Sequence, residues 1–137
     1  LTADAAVKAK HLLEQSRTTF FDQFTKDFYS ANGLLQVSES QRAEAIALCH
    51  QSAPHAALAC MESFSTTNFR EDLKKVTVPT LVIHGSADMI VPIGCSGQRT
   101  HRAIAHSKLV TVNGAPHGLN VSHPLAFNEA LLSFLRA

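Results

Sequence analysis

The sequence is short of several things, and each shortage narrows what the chain can be. Its 137 residues carry 12 Lys and Arg against 11 Asp and Glu, a net charge of +1. No field of one sign therefore points toward nucleic acid or an acidic membrane. The longest apolar run, Val78 to Ile83, is interrupted by Pro79 and Thr80. That is far below the roughly 20 residues that span a bilayer. No secretory leader is visible in Leu1-Thr2-Ala3-Asp4, and a cytoplasmic location is expected. The three cysteines, Cys49, Cys60 and Cys95, are an odd set without CxxC spacing. A disulfide framework is not expected, and a reducing compartment is. The only methionines are Met61 and Met89, so Leu1 is not an initiator residue. The chain is expected to be processed, excised or expressed as a fragment. Glycine is nearly missing from the first half, where Gly33 is the only one before Gly85.

Histidine, by contrast, is plentiful, with eight residues. His50 and His55 are five positions apart, as are His101 and His106. Ligands that share a helix face stand four apart, and no HExxH occurs, so no metal site is expected. Most of these imidazoles read as titratable, partly buried side chains. There are no internal repeats and no low-complexity tracts.

The two halves of the chain have different periodicity. From Asp4 to about Phe28, apolar residues fall at Val7, Leu12, Leu13, Phe20, Phe21, Phe24 and Phe28. This spacing predicts a helix pair or one long kinked helix with a broad apolar stripe. Asn32-Gly33 is a turn or helix-end signal. Ser38 with Gln41 three residues on, behind Val37, predicts a capping box and a helix through Ala45, Ile46, Leu48 and Cys49. Pro54 suits the first turn of a third helix carrying Leu58, Met61 and Phe64.

The second half opens on Val76 to Gly85, a β-branched run ended by glycine. It predicts a strand buried on both faces and hence parallel, with Pro79 tolerated only at its beginning. A polar helix is expected over about Ser96 to Ala105. A second strand is expected over Lys108–Val112, stopped by Asn113-Gly114. Thr80 to Val112 is 33 residues, the size of a β-α-β unit. Leu125, Phe127, Leu131, Leu132, Phe134 and Leu135 predict a final amphipathic helix. Two parallel strands do not make a stable sheet alone. The missing strands must come from another chain, a second copy or sequence upstream.

Ligands of open α/β sheets bind beyond the carboxyl ends of the strands. His84 to Pro92 follows the first strand, and Asn113 to Gly118 follows the second. Both loops therefore emerge at one sheet edge, bringing Asp88 and His117 toward each other. That pair suits a nucleophilic triad, in which the carboxylate holds the imidazole tautomer and Nε2 takes the nucleophile's proton. Taken singly, Asp88 also reads as a turn former and His117 as a surface loop residue.

Asn68 to Leu73, Val78 to Gly85 and Asp88-Met89-Ile90-Val91-Pro92 resemble the acid-bearing strand of the α/β-hydrolase fold. Gly114-Ala115-Pro116-His117-Gly118-Leu119 resembles its histidine loop. Ser96-Gly97, His123, Asn128 to Leu135 and the cap-like Phe24 to Tyr29 are similar to the cofactor-free haloperoxidase branch, also described as arylesterases and perhydrolases. The likeness runs from about Phe20 onward. It implies an α/β chain, the carboxyl-terminal part of the fold. Residues 1–67 would be a helical cap-like segment, and residues 68–137 the end of the core, a β-α-β-α unit with parallel strands. It implies Asp88 as triad acid and His117 as general base, with no cofactor and no metal. The substrate would be a small ester or carboxylic acid.

The family's nucleophile would precede both residues on a G-x-S-x-G elbow. With Gly33 alone before Gly85, no such elbow exists here. Gly94-Cys95-Ser96-Gly97-Gln98 lies after the acid and lacks the second glycine. Cys95 and Ser96 stand near a helix start, which favours a thiolate, but the better reading is helix-start residues packing beneath the acid loop. His84 is expected to pack or hydrogen-bond at the strand end. Phe20, Phe21, Phe24, Phe28 and Phe64 either line an acyl pocket or pack between cap helices. The expected activity is ester hydrolysis, with perhydrolase or haloperoxidase-type chemistry, once a complementary amino-terminal segment supplies the serine. The alternative is a non-catalytic interaction module that self-associates through its exposed strand edge.

Overall fold

The computed structural model describes residues 3–137; the expectation built on Leu1 lies outside them. The chain divides into two compact units. One holds residues up to Asp27 together with Ser38–Asn68, and the other holds Phe28–Val37 together with Phe69–Ala137.

The first unit is helical. Helices α1 (Ala3–Gln15) and α2 (Arg17–Tyr29) meet at Ser16, so the apolar stripe is carried by a pair and not by one kinked rod. Ser16 makes the break. Its N–H still donates to Leu12 at 2.8 Å, while its hydroxyl accepts the Thr19 N–H at 3.3 Å, capping the second helix. Helix α3 (Glu39–Gln51) starts on the expected capping box. Gln41 N–H donates to Ser38 Oγ at 3.2 Å, and Ser38 N–H donates to Gln41 Oε1 at 2.9 Å. Helix α4 (Pro54–Thr66) carries Pro54 in its first turn, where no N–H is needed. Leu13, Phe20 and Phe21 form the buried centre, with Phe24, Cys49, Leu58 and Met61 packed against them. Phe64 stays exposed. Arg42 ties α3 to α2, its Nη1 and Nη2 donating to Asp22 Oδ1 at 2.9 and 3.0 Å. That hydrogen bond raises the Arg42 pKa further.

The second unit contains two small sheets. Strands β1 (Ser30–Ala31) and β2 (Leu34–Leu35) form an antiparallel hairpin. Asn32 and Gly33 turn it with φ of 52° and 80°, the paired positive values of a two-residue hairpin turn. After the single-turn helix α5 (Arg70–Leu73) comes β3 (Thr80–Gly85). A 3-10 turn (Ile93–Cys95) and helix α6 (Gly97–Ala103) lead to β4 (Ser107–Val112). β3 and β4 pair in parallel, from Thr80↔Ser107 to Gly85↔Val112, so the expected β-α-β unit is present. Helices α7 (Leu119–Ser122) and α8 (Pro124–Leu135) close the unit. Its core is Val112, Ala115 and Leu119, with Ile83 and Phe127 against them.

Three expectations are corrected. The first strand begins at Thr80 and not at Val76, because the Val76 N–H is spent on the Leu73 carbonyl at 3.3 Å and Pro79 has none to give. The polar helix is shorter than Ser96 to Ala105, ending at Ala103 because Ile104 is extended (φ −106°, ψ 103°). β3 is not buried on both faces: only Gly85 is buried, and Thr80 to His84 are half-exposed. A strand with a neighbour on one edge only lacks the cover that a wider parallel sheet provides.

Candidate active site

The site is built where β3 and β4 end. The Ser86 N–H donates to the Val112 carbonyl and the Ala87 N–H to the Ala115 carbonyl, each at 3.0 Å. The Gly114 N–H returns to Ser86 Oγ at 2.8 Å. The loop after one strand is thus stitched to the loop after the other. Gly85 makes this approach possible, because a Cβ there would run into the carbonyl oxygens of Ala115 and Pro116. Ala115 and Pro116 are fully buried, which fixes the start of the loop bearing His117.

Asp88, 5% exposed, is one of the few buried polar residues. A buried carboxylate needs donors on both oxygens. Oδ1 accepts the Ile90 N–H at 2.9 Å and the Val91 N–H at 2.8 Å. Oδ2 stands 2.7 Å from His117 Nδ1. Asp88 thus forms the turn through one oxygen and meets the imidazole through the other. A carboxylate only accepts, so the His117 proton sits on Nδ1 and Nε2 keeps its lone pair. That Nε2 makes no hydrogen bond among the described residues. The ring is 31% exposed on its side chain and lies edge-on to Phe28, with centroids 4.7 Å apart. The Gly118 N–H donates to the Phe28 carbonyl at 2.9 Å, which holds that contact.

The remaining candidates separate clearly. Ser96 Oγ donates to the carbonyls of Pro92 and Val91, at 2.9 and 3.2 Å, and so serves the acid loop. Cys95 is exposed. His123 Nδ1 pairs with Ser122 Oγ at 2.9 Å. Of the five phenylalanines, Phe20, Phe21 and Phe24 belong to the helical core, and Phe28 alone touches the His117 ring. His84 was underestimated by sequence. Its Nε2 lies 2.9 Å from the Val91 carbonyl and 3.1 Å from Asp88 Oδ2. The i, i+4 spacing to Asp88 was the one signal in the sequence, and it does not encode the turn that brings the two side chains together. Among the described residues, no group of three His, Cys, Asp or Glu is arranged to hold a metal ion. None of the described helices is long and apolar enough to cross a membrane.

Comparison with known proteins places this geometry in a family. The profile of the TAP-like protein family of α/β-hydrolases matches residues 39–137. The non-heme chloroperoxidase CPO-A1 of Kitasatospora aureofaciens is 31% identical over 122 residues, 87% of this chain and 44% of that protein. The bifunctional esterase/perhydrolase DCH of Acinetobacter calcoaceticus is 39% identical over 75 residues, covering 55% of this chain and 27% of that one. The crystal structure of a bromoperoxidase from Bacillus anthracis superposes with a TM-score of 0.97 at 42% identity, over 100% of this chain and 50% of the other. The chain spans about half the length of the relatives that it matches along most of its own length. With parallel strands, a β-α-β unit and these likenesses together, the chain belongs to the α/β-hydrolase family, is similar to its non-heme haloperoxidases and corresponds to the carboxyl-terminal portion of that fold.

Proposed function

We propose that the chain carries the acid and the base of a Ser-His-Asp carboxylic ester hydrolase, with Asp88 as acid and His117 as base. The serine and the oxyanion hole come from an amino-terminal hydrolase segment outside these 137 residues. The observation that carries this reading is the 2.7 Å contact between His117 Nδ1 and a buried, fully bonded Asp88 carboxylate, with Nε2 left unpartnered. In this reading residues 1–67 supply the cap-like segment and residues 68–137 the end of the core.

The chemistry follows from that tautomer. Nε2 takes the proton of the serine hydroxyl as its oxygen attacks the ester carbonyl. Asp88 stabilises the imidazolium without itself becoming protonated. The alcohol leaves with the proton from Nε2, and an acyl-serine remains. Water then attacks the acyl carbon, giving the acid; hydrogen peroxide in its place gives the peracid. The bromoperoxidase and esterase/perhydrolase relatives support this pairing of outcomes. No residue of this chain stands on a G-x-S-x-G elbow, so the chain alone is expected to be inactive.

A chromogenic acetyl ester tests the reading. No turnover is expected from the chain alone. Turnover is expected after assembly with a segment bearing the elbow, and its loss by about 10³-fold or more in His117→Ala, as for a triad member. Turnover by the chain alone, abolished by His117→Ala, would place the nucleophile within it. A stable assembly with no activity would remove the acid–base assignment.

A further inference from the structure

We propose that Asn113-Gly114, in the loop that carries His117, is a deamidation site and that the Ser86 hydroxyl guards it. This goes beyond the acid–base reading above and does not depend on it. The chain has two Asn-Gly dipeptides, Asn32-Gly33 and Asn113-Gly114. In such a dipeptide the glycine nitrogen can attack the asparagine Cγ. A C–N bond forms, and the nitrogen's proton departs with the side-chain amide as ammonia, leaving a five-membered succinimide. Water then opens either carbonyl of that ring, giving aspartate or isoaspartate. Glycine favours the attack because it carries no side chain to shield the nitrogen and its backbone turns freely. The turn after β4 demands the reactive pair. Gly114 has a φ of 72° with open space where a Cβ would stand, so its backbone angle and not crowding calls for glycine. Isoaspartate at position 113 would add a methylene to the backbone just before His117.

Ser86 engages both groups that must react. Its Oγ donates to Asn113 Oδ1 at 3.3 Å and accepts the Gly114 N–H at 2.8 Å. For the ring to close, the nitrogen has to release its proton and the Asn113 amide has to swing toward it. Closure therefore breaks both hydrogen bonds. The frame around them resists as well. The Ser86 N–H donates to the Val112 carbonyl at 3.0 Å, and the Ala115 N–H donates to the same carbonyl at 3.3 Å. Ala115 and Pro116 are buried, which fixes the far side of the turn. Exposure does not separate the two dipeptides, because Asn32 and Asn113 are both exposed. Their bonding does. Among the described residues the Asn32 side chain makes no hydrogen bond, and its hairpin has only two residue pairs to open. The fold thus leaves one Asn-Gly free to react and ties down the one beside Asp88 and His117.

Timed incubation of the 137-residue chain at mildly alkaline pH, read by peptide mass mapping, tests the proposal without any ester. In the folded chain Asn32 should convert at least about tenfold faster than Asn113, and in concentrated urea the two should convert at similar rates. Ser86→Ala should raise the Asn113 rate about tenfold, the factor that one lost hydrogen bond is worth, and leave the Asn32 rate unchanged. Ser86→Thr keeps the hydroxyl and should hold Asn113 near its unmodified rate. An Asn113 that converts in the folded chain as fast as Asn32, or as fast as in urea, overturns the proposal. So does an unchanged Asn113 rate in a folded Ser86→Ala chain. A slower rate there overturns it too, since the hydroxyl would then be relaying protons for ring closure. If the alanine variant does not fold, the folded-to-urea ratio at Asn113 in the unmodified chain decides.

Discussion

A single buried carboxylate organises this site, and the neighbouring residues show how it is held. Asp88 meets two backbone N–H groups on one oxygen and two imidazoles on the other. The three thiols contrast with that arrangement. Cys49 is half-buried in the helical unit, and this burial pushes its thiol pKa up, with the Arg17 charge offsetting part of the effect. Cys60 and Cys95 are exposed. A raised pKa leaves less thiolate at a given pH. Cys49 is therefore expected to alkylate last, and its own rate to climb with pH. Mass mapping after timed iodoacetamide treatment between pH 7 and 9 checks this; equal labelling of all three would contradict it. The Asp88–His117 pair was legible in sequence because each follows a strand at the same sheet edge. The approach of His84 to the carboxylate was not, because it depends on how the Asp88 turn folds back, and spacing alone does not encode that.

At the scale of elements, local chemistry decided starts and stops better than hydrophobic pattern did. Capping residues and glycines act within a few positions, so Ser38, Pro54 and Asn32-Gly33 were readable directly. The start of β3 was not, because the β-branched run reaches back to Val76 while the α5 turn consumes the N–H that a strand would need. Its burial was misread for a different reason: an apolar run encodes burial on both faces, and among the described residues β3 has β4 as its one partner strand. The Ser38 cap offers a clean measurement. α3 has no buried residue, so its beginning depends on the reciprocal bonds with Gln41 and on the Arg42–Asp22 tie. Ser38→Ala removes the acceptor for the Gln41 N–H and is expected to cost about 1 kcal/mol. Urea unfolding followed by circular dichroism reads this as a lower midpoint with an unchanged slope. A midpoint equal to that of the unmodified chain would mean that α3 is held by its tertiary contacts alone.

The whole molecule poses a problem of valence. Among the described residues, β3 pairs with β4 on one edge, and no strand pairs with its other row of N–H and C=O groups. Thr80 to His84 are only half-buried, and Leu125 and Leu135 of α8 are exposed. An open edge beside uncovered apolar surface is a template for pairing with another chain. Relatives matched over most of this chain are about twice its length, and the amino-terminal segment proposed above is the occupant expected for that edge. Without that occupant, the chain is expected to associate with itself. Sedimentation velocity should then show species heavier than 14.8 kDa, growing with concentration. The urea midpoint should rise with protein concentration, as it does whenever association stabilises the folded state. A segment bearing the G-x-S-x-G elbow should compete for the same edge, dissolving the self-associated species into a one-to-one assembly. A chain that sediments at 14.8 kDa at every concentration, and unfolds cooperatively at one fixed midpoint, would show that two strands suffice here. The open edge would then be no basis for a partner. Self-association that the elbow-bearing segment cannot displace would favour an interaction module over half of an enzyme.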